Sequence, residues 1–330
     1  MAVPTNTAQS YSQKNIREDL EAMIYNVEPY KTPIMNMAKK VKAEQHYHEW
    51  NVDNLAAQNV SNAQIEGDDA TPDATTATGR LGNYTQISRK VVSLSGSVQQ
   101  AKAAGGSNKM GYQLLKKSRE LKRDIEGIIT NNAARLAGNS TTAAITGGLP
   151  AYLTANVEFQ TGGTPSGANP TGVQAVGSEN FGDGSTARTY NSVKAAISEV
   201  TVQALYKSIY TNSGDIPKYL MVSPANKQNI SKFTGPGTRF TEVKDARLNT
   251  VVDEYQTDFG VVRIIPDIFM ATSGDCYAIE PEYVRLAFFR QFQTVPLAKT
   301  GDNDKKMLIV EYAAEVANER AIGAIFDTTG

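Results

Sequence analysis

The chain has 330 residues, enough for one large or two ordinary domains with a substantial core. Its 33 Lys and Arg balance 34 Asp and Glu, which excludes a protein that grips nucleic acid through many phosphates. The single cysteine, Cys276, has no partner for an internal disulfide, the N-terminus lacks the apolar core of a secretory signal, and no run of about 18 apolar residues offers a membrane span.

Residues 1–40 open polar. In IREDLEAMIYNVEP (16–29), Ile16, Leu20, Met23, Ile24 and Val27 fall on one helical face, closed off by Pro29 and Pro33. An arm carrying one short helix is expected. EQHYHEWNVD (44–53) and NYTQISRKVVSLSGSVQQ (83–100) read as strands, the second rich in β-branched residues. Between them lies the polar turn-former cluster VSNAQIEGDDATPDATTATGRLG (60–82). The two stretches predict a projecting hairpin with an acidic tip, which needs something to pack on.

Helical spacing over 108–137 aligns Leu114, Leu121, Ile125, Ile128, Asn132 and Leu136, with Lys116, Lys117, Arg119, Lys122 and Arg123 on the other faces. Asn108 is placed to cap this helix and Gly138 to stop it, giving a rod of roughly 40 Å. Glu120, Asp124 and Glu126 interrupt the basic face, so it reads as solvated or subunit-facing rather than as a nucleic-acid surface. Residues 138–189 are rich in Gly, Thr, Asn, Ser and Pro, which suits a surface elaboration or binding tip. A second helix is expected over 190–210 through Val193, Ile197, Val200, Leu205 and Ile209. Strands are expected at 218–223, 261–266, 276–280, 284–289 and 307–318. No internal repeat occurs.

The candidate chemistry is thin. His46 and His48 share one face of a strand, but two imidazoles make an incomplete metal site. In YLMVSPANKQNISKF (219–233), Ser223 stands at a strand end before a helix. No histidine follows it, which rules out a Ser-His-Asp triad in the order of a nucleophile elbow. Ser223 reads better as a helix N-cap with Pro224 in the first helical position. EGDDATPD (66–73) lacks the alternating ligands and closing glutamate of a calcium loop. LAKTGDNDKKMLIVEY (297–312) has one glycine and runs into a strand, so it fails the phosphate-loop pattern, and Gly301 to Asp304 marks a turn between strands. No catalytic residue, metal ligand set or cofactor site is assigned, and the chain is read as a non-enzyme.

An arm, a long hairpin, a long helix, an α/β region and a return of strands follow one another in this order. Together with DEYQTDFGVVRIIPDIFM (253–270), CYAIEPEYVRLAFFRQF (276–292) and MLIVEYAAEVANERAIGAI (307–325), this order resembles the major capsid (major head) protein of tailed bacteriophages. That family has the Hong Kong ninety-seven type fold, which encapsulins share. The similarity covers most of 14–326 and is strongest over 218–326. It implies an α+β fold with an N-terminal arm (1–40), an extended loop hairpin (41–104) and a peripheral-domain spine helix (105–137). A Gly/Thr-rich insertion (138–189), an axial domain (190–275) and peripheral-domain strands (276–330) would follow.

The resemblance implies a shell of hexamers and pentamers around double-stranded DNA, which is enclosed without sequence-specific binding. The subunit would be assembled in the bacterial host cytoplasm and end in the virion, with no membrane involved. Scaffold, portal and decoration proteins would be separate partners. Tyr11, Ile16 and Leu20 on the arm, Tyr47 and Trp50 on the hairpin, and Arg89 and Lys90 on its return strand are the expected intersubunit contacts. The rival readings are an encapsulin-like compartment for protein cargo and a soluble nucleotide-handling enzyme. Separate features would reveal each: an enzyme cargo for the first, a catalytic constellation for the second.

Overall fold

The computed structural model describes residues 31–69, 72–73, 75, 77–101, 109–160, 170–176, 179–191, 193–233, 254–270 and 274–329. A short helix, α1 (Pro33–Met37), leads into β1 (Lys39–Lys42). The next strands are β2 (Tyr47–Val52), β3 (Gly79–Tyr84) and β4 (Gln86–Ser95), followed by the one-turn α2 (Gly96–Gln100) and the long α3 (Lys109–Thr130). Then come β5 (Val157–Phe159), β6 (Val173–Val176), β7 (Glu179–Gly182), α4 (Glu199–Ser213), β8 (Tyr219–Val222) and α5 (Pro224–Ile230). The chain closes with β9 (Glu254–Thr257), β10 (Gly260–Pro266), β11 (Cys276–Ile279), β12 (Val284–Leu297), β13 (Asn303–Val316) and β14 (Gly323–Phe326).

Two main sheets organise these elements. One has the order β1-β12-β13-β4, the other β5-β14-β11-β8-β10-β9. In β13 the two-residue period sends Leu308, Val310, Tyr312 and Val316 into a core with Leu121, Ile125 and Ile129 of α3, while Ala313 joins Ala43 and Ala287 in a separate cluster. The six-stranded sheet is buried on both faces. Met221, Tyr277, Ala324 and Phe326 belong to the α3 core, and Leu220, Val222, Ala278 and Ile325 pack with Val202, Leu205, Tyr206 and Ile209 of α4. Such two-sided burial is why these strands are near-continuous apolar runs in the sequence.

Several elements differ from the sequence-based expectation. The hairpin is β2 with β3, paired from Tyr47↔Tyr84 to Val52↔Gly79. The expected return strand around Arg89 and Lys90 is instead β4, which pairs with β13 from Gln86↔Tyr312 to Ser95↔Asn303. Helix α3 ends at Thr130, about 33 Å long at 22 residues, and not near Gly138. Past its end, Asn132 exchanges hydrogen bonds with the backbone of Arg188 (Arg188 N to Oδ1 2.8 Å), and Leu136 bridges to Ile145. An asparagine whose amide binds a distant backbone competes with helical continuation.

Helix α4 begins at Glu199 because Ser198 caps it, accepting from Thr201 N at 3.3 Å. Val193 and Val200, expected on its apolar face, are exposed, and Val202 and Tyr206 take the buried positions beside Leu205 and Ile209. Gly214 ends the helix at φ +75°. The stretch 138–189 is more than an elaboration. Leu149 to Leu153 is buried in the main core, and β5 pairs with β14. The expected boundary at 275/276 does not separate the sheets, because β11 and β14 lie in one sheet with β8 and β10. The turn before β13 holds Gly301 at φ +99°, and Ser223 caps α5 with Pro224 in the first turn, as the sequence predicts.

Candidate assembly interface

The hairpin is clamped at its base. The Tyr47 and Tyr84 rings lie 4.6 Å apart, and Arg135 donates to Tyr47 OH at 2.5 Å and to the Gly82 carbonyl at 2.5 Å. Tyr152 OH donates to the same carbonyl at 3.0 Å, and its ring lies 5.9 Å from that of Trp50. Asn83, fully buried, donates to the carbonyls of Ala314 (2.7 Å) and Gly147 (3.2 Å) and accepts from Gly147 N at 2.9 Å. Burial pushes the Tyr47 phenol up, against the opposing pull of Arg135.

The two histidines do not converge. His48 Nε2 lies 3.0 Å from Glu315, which also receives Arg285 at 3.2 Å. His46 Nδ1 lies 2.7 Å from Thr85 Oγ1, which donates to Glu311, and Arg290 donates to Glu311 at 2.7 Å. Each imidazole therefore serves its own carboxylate on β13. Among the described residues no group of three or more His, Cys, Asp and Glu could hold a metal ion. This arrangement fastens the start of the hairpin to the outer face of the four-stranded sheet.

Past Val52 the surroundings change. Leu55, Val60 and Ile65 on the connecting loop are 93%, 90% and 80% exposed, and Glu66, Asp68 and Asp69 beside them are exposed as well. Isolated large apolar side chains are ordinary on a surface, but on this one loop three stand uncovered. They went unselected at the sequence level although the signal was there, since apolar residues interrupt an otherwise polar turn-former run. Along β4, Ile87 and Val91 are 52% and 45% exposed, and Arg89 between them shares their face. Lys90 points the other way, its Nζ 2.6 Å from Asp124 of α3.

The expected contact residues thus divide. Arg89 lies open on a sheet face. Tyr47, Trp50 and Lys90 work within the chain, the first two at the hairpin base and the last between β4 and α3. Tyr11, Ile16 and Leu20 lie outside the described residues.

The attachment point of the N-terminal segment is also built from a buried acid. Glu126 of α3 is fully buried, and its two oxygens accept Ile34 N and Met35 N of α1, both at 2.7 Å. Burial pushes its carboxyl up to about 8, those two N–H groups pull the other way, and the neighbouring Asp267 pushes it further up. Burial raises Asp267 too, against the pull of the Phe269 N–H that its Oδ1 accepts at 3.0 Å.

Residues 3–329 match the family described as SU10 major capsid protein. The major capsid protein of Escherichia phage Phieco32 is 26% identical over 361 residues, covering 100% of this chain and 99% of that protein. Among solved structures, the capsid asymmetric unit of cyanophage A-1(L) superposes with a TM-score of 0.62 at 13% identity, covering 98% of this chain and 100% of that one. The mature capsid asymmetric unit of bacteriophage PhiM1 gives 0.57 at 10% identity, covering 98% and 96%. These structures share the α+β capsid fold that the sequence resemblance implied, and the family match supplies the function. With 327 of its residues inside that match, the chain belongs to the SU10 major capsid protein family and is a bacteriophage major capsid protein.

Proposed function

We propose that this subunit builds the phage head from hexamers and pentamers of itself around double-stranded DNA. The observation that carries the proposal is the loop of 53–78, with Leu55, Val60 and Ile65 at 80% exposure or more. Side chains of this size contribute about 1.5–3 kcal/mol each once a neighbour covers them, and every copy in a closed ring repeats the contact. The arm before residue 31, the loop and the Arg89 face of β4 are the contact regions. Tyr47, Trp50 and Lys90 hold those regions in position, and Tyr11, Ile16 and Leu20 belong to the arm's share of the contact.

In domain terms, the four-stranded sheet with α3 forms a peripheral unit and α4 with the six-stranded sheet an axial one. Strands β11 and β14 are then assigned to the axial unit. The chain acts through surface rather than chemistry, without enzymatic activity or cofactor. DNA is enclosed without sequence-specific binding, in keeping with the near-zero net charge. Assembly takes place in the host cytoplasm, with scaffold, portal and decoration proteins as separate chains.

Light scattering after size exclusion, with negative-stain microscopy, tests this. Purified subunits are expected to form rings, tubes or shells, and the triple variant Leu55→Ser, Val60→Ser, Ile65→Ser to remain small with an unchanged thermal melt. A wild-type chain that stays monomeric at every concentration and salt would sink the proposal.

A further inference from the structure

A cleft of about 510 Å³ opens between α1, β1, α3 and β12. Its walls carry three exposed lysines, Lys40, Lys42 and Lys122, two exposed amides, Asn36 and Gln291, and no carboxylate. The strand register puts Lys40 and Lys42 on one face of the sheet. Lys40 lies opposite Leu286 and Lys42 opposite Phe288, and both partners pack towards α3, the helix that carries Lys122. Val41 between them turns its side chain to the other face, beside Ala287 and Ala313. All three lysines therefore stand on the same side of the sheet.

Among the described residues none of the three makes an ion pair. Lys42 also borders a second depression that holds Glu44 and Glu49, without pairing to either. The opposite face treats its cations differently, since Arg285 meets buried Glu315 at 3.2 Å and Arg290 meets buried Glu311 at 2.7 Å. A plainer account exists for two of the lysines. Strand β1 is a sheet edge, and lysines on a short edge strand discourage unwanted pairing. That account does not cover Lys122, which comes from a helix, or the lack of any acid among the lining side chains. Like charges gathered in one cleft repel one another and draw an anion from outside the chain. Lysines without an arginine fork suit phosphate oxygens met as point charges, with no fixed geometry and no base to read.

We propose that this cleft faces the lumen of the shell, where Lys40, Lys42 and Lys122 contact phosphates of the packaged double-stranded DNA. The proposal rests on the reading of the chain as a shell subunit around DNA, and it adds which face of the subunit looks inward. Three phosphates per copy are few. They give a slope of about −2.7 for log affinity against log salt, a loss of about fortyfold between 50 and 200 mM. One free subunit therefore holds DNA only at low salt, and the contact gains weight by repetition over the inner surface.

Two measurements test it. Unassembled wild-type subunit, titrated with a short labelled duplex between about 10 and 100 mM salt, should show that slope in fluorescence anisotropy for two unrelated sequences alike. The variant Lys40→Gln, Lys42→Gln, Lys122→Gln should bring the slope to within about 0.5 of zero. A control, Lys39→Gln, Lys207→Gln, Lys232→Gln, removes three exposed lysines elsewhere and should keep the wild-type slope. All six positions are exposed, so circular dichroism should find both variants folded. In assembled heads, acetylation of Lys40, Lys42 and Lys122 read by mass spectrometry should be about threefold or more slower when DNA is inside than in empty heads.

A cleft variant that keeps the wild-type slope overturns the proposal, and so does equal loss in cleft variant and control, which would mean diffuse attraction. Lysines protected equally in filled and empty heads would assign the cleft to a protein segment and overturn it as well. Wild-type subunits that bind no duplex at the lowest salt, yet form shells, overturn the DNA contact and leave the shell reading standing. A wild-type chain that never assembles overturns both.

Discussion

Both carboxylate oxygens of Glu126 accept backbone N–H groups of α1, while the side chain rises from α3 and faces Asp267 just before the 3-10 turn Ile268–Met270. One residue thereby brings three segments together where bulk solvent does not reach. Its carboxyl, ordinarily near 4.5, is pushed up to about 8 by that burial, with Asp267 adding to the shift. Between those two values the folded state keeps a proton that the unfolded state has lost, so this group's contribution is full at acid pH and falls as pH rises towards 8. Asp267 is shifted in the same direction and adds to the same slope. The basic side chain nearby on α3, Arg123, lies 5.6 Å over the Phe269 ring. Glu126→Gln offers one acceptor oxygen to two N–H groups, so the variant should be about 1–3 kcal/mol less stable than wild type at pH 5. The gap should narrow towards pH 8, as urea melts of unassembled subunit at the two pH values will record. Nothing in the local pattern marks Glu126 out, because its partners lie more than ninety residues away.

At the scale of the element, the hairpin depends on what grips its base. Arg135 ties Tyr47 to Gly82 across both strands, sits 5.4 Å over the Tyr47 ring and lies 3.6 Å from Asp183. Arg135→Ala should cost about 1–3 kcal/mol and raise amide exchange in 47–52 and 79–84, while the six-stranded sheet keeps its protection. Equal loosening of both regions in exchange mass spectrometry would count against a local clamp. Helix α4 provides a cleaner test. Gly214 closes it at φ +75°, and a Cβ there would meet nothing within 4 Å. Gly214→Ala should therefore cost about 1–2 kcal/mol from backbone conformation alone, read as a lowered urea midpoint at unchanged slope. Elements of this kind were partly legible beforehand. Ser223 with Pro224, and Gly301 in its turn, signal through adjacent residues, and the structure places them as read. The end of α3 and the start of α4 were misplaced, because Asn132 and Ser198 bond to groups that periodicity does not see.

For the whole molecule, a net charge of −1 sets the relation to nucleic acid. Among the described residues several basic side chains are answered within the chain, as with Lys90 on Asp124, Arg285 on Glu315 and Arg290 on Glu311. Free subunits should therefore shift no short DNA duplex at about 150 mM salt, whatever its sequence. A sequence-dependent shift in a gel assay would contradict a container that holds DNA without reading it. The exposed apolar loop and the buried, clamped hairpin base belong together at this scale, since a rigid base presents a sticky end to neighbours.

The sequence alone determined the kind of molecule: an α+β chain of hairpin, long helix and apolar strands in the order of a phage capsid subunit. These features depend on local pattern and on the order of segments, both of which survive in a one-dimensional string. Only the tertiary structure decided that β4 leaves the hairpin to pair with β13, that Tyr47 and Trp50 are half-buried against Arg135 and Tyr152, and that Leu55, Val60 and Ile65 are exposed. Pairing across more than two hundred residues is fixed by which faces can be buried together. That is a property of the assembled core and of no single segment.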